Sequence, residues 1–240
     1  MSLPKLNVPV YEAILPSTNK VIKYRPFLVK EEKLLLTAME DGDQKVIVNA
    51  VKQIIKNCIQ GKIDVDNLPT FDIEYLFLRL RAKSVGEKVT IGLKPYPCLQ
   101  RDDDDFCKFT TEVEINLEEV AVSKSKNHSS KIMLDDNVGV KLKYPDISSI
   151  EIKKSDSETA MKMIGNCIDI IFTKEETHDR GSFTDKELDE FLDSLSSAQF
   201  AKIKEFFDTM PVLKHTVKYK CATCGEDKET TVQGLNSFFG

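Results

Sequence analysis

The 240 residues suffice for one compact unit or two small ones with a buried core. Apolar residues at 41% and charged residues at 30% match a soluble globular chain, and 39 acidic against 34 basic residues, a net charge of −5, argue against a broad phosphate-binding face. No apolar run approaches the roughly 18–20 residues that span a bilayer, and the first residues lack a secretory signal. A cytoplasm, with reduced cysteines, is therefore the expected residence.

In chain order, residues 10–15 and 20–24 read as two strands around the turn Pro16-Ser17-Thr18-Asn19. A helix over residues 29–39 follows Pro26, and Asp41-Gly42-Asp43 breaks it, with Asp43 placed to cap the next helix. That helix carries Val46, Ile47, Ala50, Val51, Ile54, Ile55, Cys58 and Ile59 at the spacing of one buried stripe, and Gly61 stops it. A third helix, residues 71–83, starts with Asp72 and Glu74, where the helix dipole favours them. Its apolar residues nearly encircle it, so the other half or a partner chain is expected to cover it.

Strands are expected over residues 87–93 and 109–117, around a cysteine loop. Residues 123–130 are small, polar and charged, and read as a flexible connection. Strands near 131–134 and 139–143 flank the turn Asp135-Asp136-Asn137, and a helix is expected over 158–172. Thr184-x-x-Glu187 and Ser196-x-x-Gln199 are written as capping boxes for two more helices. Strands over 213–220 and 228–233 close the chain around its last cysteines.

Segments recur along this path. Val21-Ile22-Lys23-Tyr24-Arg25-Pro26 returns as Val140-Lys141-Leu142-Lys143-Tyr144-Pro145, and Ile55-Lys56-Asn57-Cys58-Ile59 as Ile164-Gly165-Asn166-Cys167-Ile168. A strand into Cys98 and Cys107, then Thr110-Thr111, returns as a strand into Cys221 and Cys224, then Thr230-Thr231. The expected fold is α+β, with related halves at 1–122 and 131–240 joined by the linker 123–130. Each half would hold a short β-hairpin, two or three helices and a cysteine-bearing β-ribbon, with pseudo-twofold packing.

Cys221-Ala222-Thr223-Cys224-Gly225 between two strands has zinc-knuckle spacing, since two thiolates two residues apart reach one tetrahedral ion. Pseudo-twofold packing would add Cys98 and Cys107, giving a closed four-cysteine structural zinc site. The alternative is a degenerate site with free thiols, because eight residues, including Asp102 to Asp105, separate the first pair. A redox pair is disfavoured by its place between strands instead of at a helix start. Cys58 and Cys167 lie in apolar stripes and read as core, while His215 is a substitute ligand at most. No phosphate loop, nucleophile elbow or metalloprotease helix is present, and no catalytic residue is assigned.

The block from Lys20 to Leu36, with Asn57-Cys58-Ile59, Leu68-Pro69, Phe71-Asp72-Ile73-Glu74-Tyr75-Leu76 and Leu80 to Glu87, resembles the baseplate hub protein family of T-even-type contractile-tailed bacteriophages. The resemblance is most specific over residues 6–87 and extends loosely to the closing Leu235-Asn236-Ser237-Phe238-Phe239. It implies a non-enzymatic structural or assembly protein of the tail baseplate, made in the infected host's cytoplasm. Its partners would be other hub or wedge proteins, with no membrane and no nucleic acid. A zinc-ribbon nucleic-acid-binding module is the competing reading. Docking surfaces expected from sequence are the helix from Phe71 to Leu80, the terminal Phe238-Phe239, and Arg25 with Lys30, Glu31 and Glu32; burial is the competing fate of the aromatic and aliphatic side chains.

Overall fold

A computed structural model describes residues 6–93, 110–147, 157–222 and 225–238. Among them the chain is α+β, with six α-helices and four antiparallel sheets. It divides into two units: unit 1 draws on Met1–Val65, Phe71–Ser123 and Val212–Gly240, and unit 2 on Asp66–Thr70 and Lys124–Pro211. The closing ribbon, late in sequence, thus groups with the N-terminal elements.

Unit 1 begins with the hairpin β1 (Tyr11–Ile14) and β2 (Val21–Tyr24), and β3 (Ile59–Gln60) pairs with β2 on its other side. Between β2 and β3 stand α1 (Val29–Asp41) and α2 (Gln44–Cys58). Gly42, at φ 73°, takes the left-handed conformation that ends α1, and Asp43 caps α2 by accepting from Lys45 N–H at 2.8 Å. Along α2 the buried stripe is Val48, Ala50, Val51, Ile54, Ile55 and Cys58, whereas Val46 is exposed.

Helix α3 (Thr70–Ser84) is covered without any second chain. Leu78 and Ala82 pack in one cluster with Ile91 and Ile115 of the ribbon β4 (Lys88–Leu93) and β5 (Thr111–Asn116). The same cluster takes Leu213, Val217 and Val232 from the second ribbon, β11 (Val212–Lys220) and β12 (Asp227–Gln233), together with Phe238. β6 (Ala121–Ser123) completes the sheet β12-β11-β6. On another side of α3, the buried Asp72 carboxylate accepts from Ser17 N–H at 3.1 Å and from the Ser17 hydroxyl, tying the helix start to the β1–β2 turn.

Unit 2 is a four-stranded sheet, β10-β9-β8-β7, under helices α4 (Ser157–Cys167), α5 (Asp185–Asp193) and α6 (Ser197–Thr209). Its strands are β7 (Lys131–Met133), β8 (Gly139–Leu142), β9 (Ile168–Phe172) and β10 (Thr177–Asp179). The helix expected over 158–172 ends at Cys167. The run Ile168-Asp169-Ile170-Ile171-Phe172 is β-branched and apolar, suits a pleated surface better than a helix, and becomes a central strand. Both capping boxes form: Thr184 and Glu187 open α5, and Ser196 and Gln199 open α6. At Gly139 a Cβ would fall 2.3 Å from the Phe172 ring, so only glycine admits that cross-strand aromatic.

The recurrent segments have matching local geometry. Arg25 N–H donates to Cys58 C=O at 3.0 Å, and Lys143 N–H to Cys167 C=O at 2.8 Å. Each is a hairpin strand receiving the end of a helix that leads into the next strand. The match pairs Arg25 with Lys143, one residue out of step with the alignment of Val21–Pro26 on Val140–Pro145. Residues 123–130 are not loose throughout, because His128 is fixed at both ring nitrogens, by Thr209 Oγ1 and Tyr144 Oη, each at 3.0 Å.

Candidate functional site

Three consecutive leucines in α1, Leu34-Leu35-Leu36, point about 100° apart, so one buried face cannot take them all. Only Glu31 and Ala38 of this helix are buried. Val29, Leu36 and Met39 stand 65%, 53% and 54% exposed. Their i, i+7 and i+3 relations put them on one stripe, which Leu28 extends at the N-terminal end. Among the described residues twelve large apolar side chains are exposed, and eleven belong to unit 1; Met133 alone belongs to unit 2. Single exposed apolar residues are ordinary, whereas several on one helix face, here with the exposed Glu32 and Lys33 between Val29 and Leu36, make a candidate contact surface.

The stripe is held in place by a partly buried ion pair. Arg25, at the exit of β2, donates through Nη2 to Glu31 Oε1 at 3.0 Å and to Asn57 C=O at 3.1 Å, and through Nη1 to Pro26 C=O at 2.9 Å. Glu31, 1% exposed, also accepts Leu28 N–H at 2.9 Å, which satisfies a free amide at the start of α1. One guanidinium thereby fixes the first turn of α1 against the last turn of α2. Burial pushes the Glu31 carboxyl up, but Arg25, Leu28 N–H and Lys30 outweigh it and hold the group below the usual carboxylate range. Of the cluster expected to meet a partner, Glu31 is therefore internal and Arg25 half-buried, its guanidinium engaged within the chain.

The other expected surfaces are also interior. Phe71, Ile73, Leu76, Phe77, Leu78 and Leu80 are buried, as is Phe238; Phe239 lies outside the described residues. A helix apolar on every side is a core helix when two ribbons and a hairpin are at hand to cover it. The triple leucine in α1 was the signal for the exposed face, because a helix packed on one side only leaves at least one of three adjacent apolar residues uncovered, whereas α3, covered on several sides, buries Leu76, Phe77 and Leu78 together.

Of the four candidate zinc ligands, Cys98, Cys107 and Cys224 lie outside the described residues, and Cys221 is buried. Around it Gly225 N–H donates to Cys221 C=O and Cys221 N–H to Glu226 C=O, both at 2.9 Å. Ala222 N–H donates to Thr111 Oγ1 at 3.2 Å, which ties this turn to the start of β5. No group of three potential metal ligands occurs among the described residues. Cys58 and Cys167 are buried, and burial pushes both thiols up to about 11, which suits core residues and not nucleophiles. His215 sits in β11 opposite Val232. Among the described residues no helix is long and apolar enough to cross a membrane.

A family model described as T4 bacteriophage base plate protein matches residues 8–240. The chain belongs to that family. The chain is also 26% identical over 221 residues to baseplate hub assembly protein gp26 of Enterobacteria phage T4, covering 92% of this chain and 93% of that protein. No solved structure matches. The base plate family match spans β1 to the terminal ribbon, so the hairpin, the Arg25 staple, α1 and all of unit 2 lie within it.

Proposed function

We propose that this chain is a non-enzymatic assembly protein of the phage baseplate hub, acting through protein contacts made by the exposed face of α1. The observation that carries the reading is the stripe of Val29, Leu36 and Met39, exposed to solvent on a helix whose first turn is fixed by a partly buried ion pair. A rigid helix with uncovered apolar anchors is built to be covered by something else. Membership of the base plate family and the likeness to a hub assembly protein support hub or wedge proteins as that partner. Synthesis in the infected host's cytoplasm, followed by action at the tail baseplate, accords with this role.

Capture of the tagged protein from infected cells, with mass spectrometry of what accompanies it, tests the proposal. Enrichment of baseplate proteins is the expected result, and their absence would refute it. The zinc-ribbon nucleic-acid alternative finds no support in the ribbon: Lys218 lies 3.7 Å from Glu229, and Lys228 lies 3.5 Å from Glu226, so both lysines face carboxylates. Filter binding across a salt series should detect no salt-sensitive retention of nucleic acid.

We also propose that Cys98, Cys107, Cys221 and Cys224 hold one structural zinc. Support comes from the Ala222–Thr111 hydrogen bond, because Thr111 follows Cys107 by four residues and Ala222 lies within the knuckle. A closed thiolate site would contribute folding free energy and do no chemistry. Zinc near one equivalent in freshly purified reduced protein, lost with Cys221→Ser plus Cys224→Ser, is the expected result; zinc-free protein refutes the site.

A further inference from the structure

The charges around the α1 stripe specify what covers it. At the C-terminal end of α1, Glu40 and Asp41 close the helix and Asp43 begins the next, all exposed, with no basic side chain in the last turn. The α1 dipole places partial negative charge at this same end, so Glu40 and Asp41 are where they are least favoured by their own helix, while Asp43 is held as the N-cap of α2. Lys45, two residues past Asp43, is the nearest basic residue in sequence and leaves the corner net negative. Met39, the last anchor of the stripe, directly precedes this corner, while Lys30 and Lys33 lie at the opposite end beside Val29. Lys30 is in part engaged already, 3.3 Å from Glu31 Oε1, and the exposed Glu32 offsets Lys33, so the N-terminal end is close to neutral.

We propose, resting on the assembly reading above, that the α1 stripe receives an amphipathic helix of another protein running antiparallel to α1, with lysine or arginine in its N-terminal turns. In that orientation the partner's helix dipole and its basic side chains both meet Glu40, Asp41 and Asp43. Its apolar face covers Val29, Leu36 and Met39, which present anchors at helical spacing. A parallel helix of the same composition would set its negative pole against the acidic corner. A second copy of α1 would be poorly matched, because its near-neutral N-terminal end gives the acidic corner little to pair with.

The test uses the full chain and two synthetic leucine-faced helical peptides of equal composition. One carries lysines in its first turns and glutamates in its last; the other has the reverse order. Fluorescence anisotropy should show the first binding about tenfold more tightly, equivalent to about 1.4 kcal/mol, with the preference shrinking as salt rises. Leu36→Glu with Met39→Glu should abolish binding of both peptides, and Glu40→Lys with Asp41→Lys should invert the preference; all four positions are exposed, so the fold is retained. Equal binding of the two peptides, binding that survives Leu36→Glu with Met39→Glu, or no binding overturns the inference. So does a dimer in sedimentation that dissociates in Leu36→Glu, since the occupant would then be a second copy. Failure here is distinct from failure of the assembly role: baseplate proteins captured by the wild type and lost with Leu36→Glu, without peptide polarity, leave that role standing and remove only the helix chemistry.

Discussion

The two units share a motif and use it differently. In each, a hairpin strand receives the end of a helix through one backbone bond to a buried cysteine, at Cys58 and at Cys167. In unit 1 the residue making that bond is Arg25, whose side chain turns to Glu31 and fixes α1 with its apolar stripe outward. In unit 2 it is Lys143, and the next residue, Tyr144, instead closes inward, stacking on His128 and Phe206 with ring centroids 5.5 Å away. Charge divides the same way: the unit 1 spans hold 21 basic and 21 acidic residues, and those of unit 2 hold 13 and 18, together the 34 and 39 of the chain. Unit 1 is neutral and presents uncovered apolar surface, whereas unit 2 carries the whole net charge and has closed its core. The proposed assembly surface accordingly lies on unit 1, where the exposed apolar side chains are.

The largest expected effect lies inside unit 2. Phe206, almost fully buried in its aromatic and aliphatic cluster, should cost about 3–5 kcal/mol on change to alanine, read as early hydrogen exchange across β7 to β10. If the units are energetically separate, exchange in β1 to β3 should change little. Next comes the staple: Glu31→Ala leaves Arg25 without its carboxylate in a largely buried setting and should cost about 3 kcal/mol, with α1 the first helix to exchange. Conversely, Glu31 is held low, so its stabilising contribution is fully present above the unfolded carboxylate value and is lost as pH falls through the lower folded one.

A smaller effect should come from His128. The Thr209 hydroxyl donates to Glu205 C=O at 2.6 Å, which leaves it to accept from Nδ1–H, so Nε2 accepts from the Tyr144 hydroxyl. The ring is thereby held neutral, and burial first, then Lys124, keep its pKa below the usual histidine range. Its contribution is present above the unfolded value of about 6.5 and lost as pH falls through the lower folded value. Denaturation of the wild type and Tyr144→Phe between pH 7.5 and 5.5, taken as roughly the range a histidine spans, should show unit 2 weakening in the wild type. At neutral pH, Tyr144→Phe should cost about 1 kcal/mol. The smallest stability effect is expected at the surface: Leu36→Glu should shift unfolding by no more than about 0.5 kcal/mol, because that residue is 53% exposed.

Much of the fold was legible because local chemistry and tertiary structure agree. The hairpin at Ser17, the Gly42–Asp43 break and both capping boxes are where short-range hydrogen bonding alone puts them. The error at residues 168–172 came from treating an apolar run as helix, when its isoleucines report the middle of a sheet. The candidate site was harder to read. Burial of α3 and exposure of α1 depend on which elements reach which face, and sequence spacing describes a stripe without saying what lies against it. Arg25 and Glu31, six apart across a proline, look like solvent charges until the fold buries them together. The Cys221-x-x-Cys224 spacing was visible in the sequence, but Thr111, which meets Ala222, is brought there by long-range packing.

The division of labour between the units is tested most directly by baseplate assembly in infected cells where the only copy of this protein is a chosen variant. Leu36→Glu with Met39→Glu on α1 and Met133→Glu on unit 2 each place acid at exposed apolar positions, so all three changes leave folding intact. The expected result is that the α1 variant is soluble and folded yet yields no completed baseplates, while Met133→Glu assembles them at the wild-type level. Normal assembly with the α1 variant, or failure with Met133→Glu, would contradict the assignment of the assembly surface to unit 1.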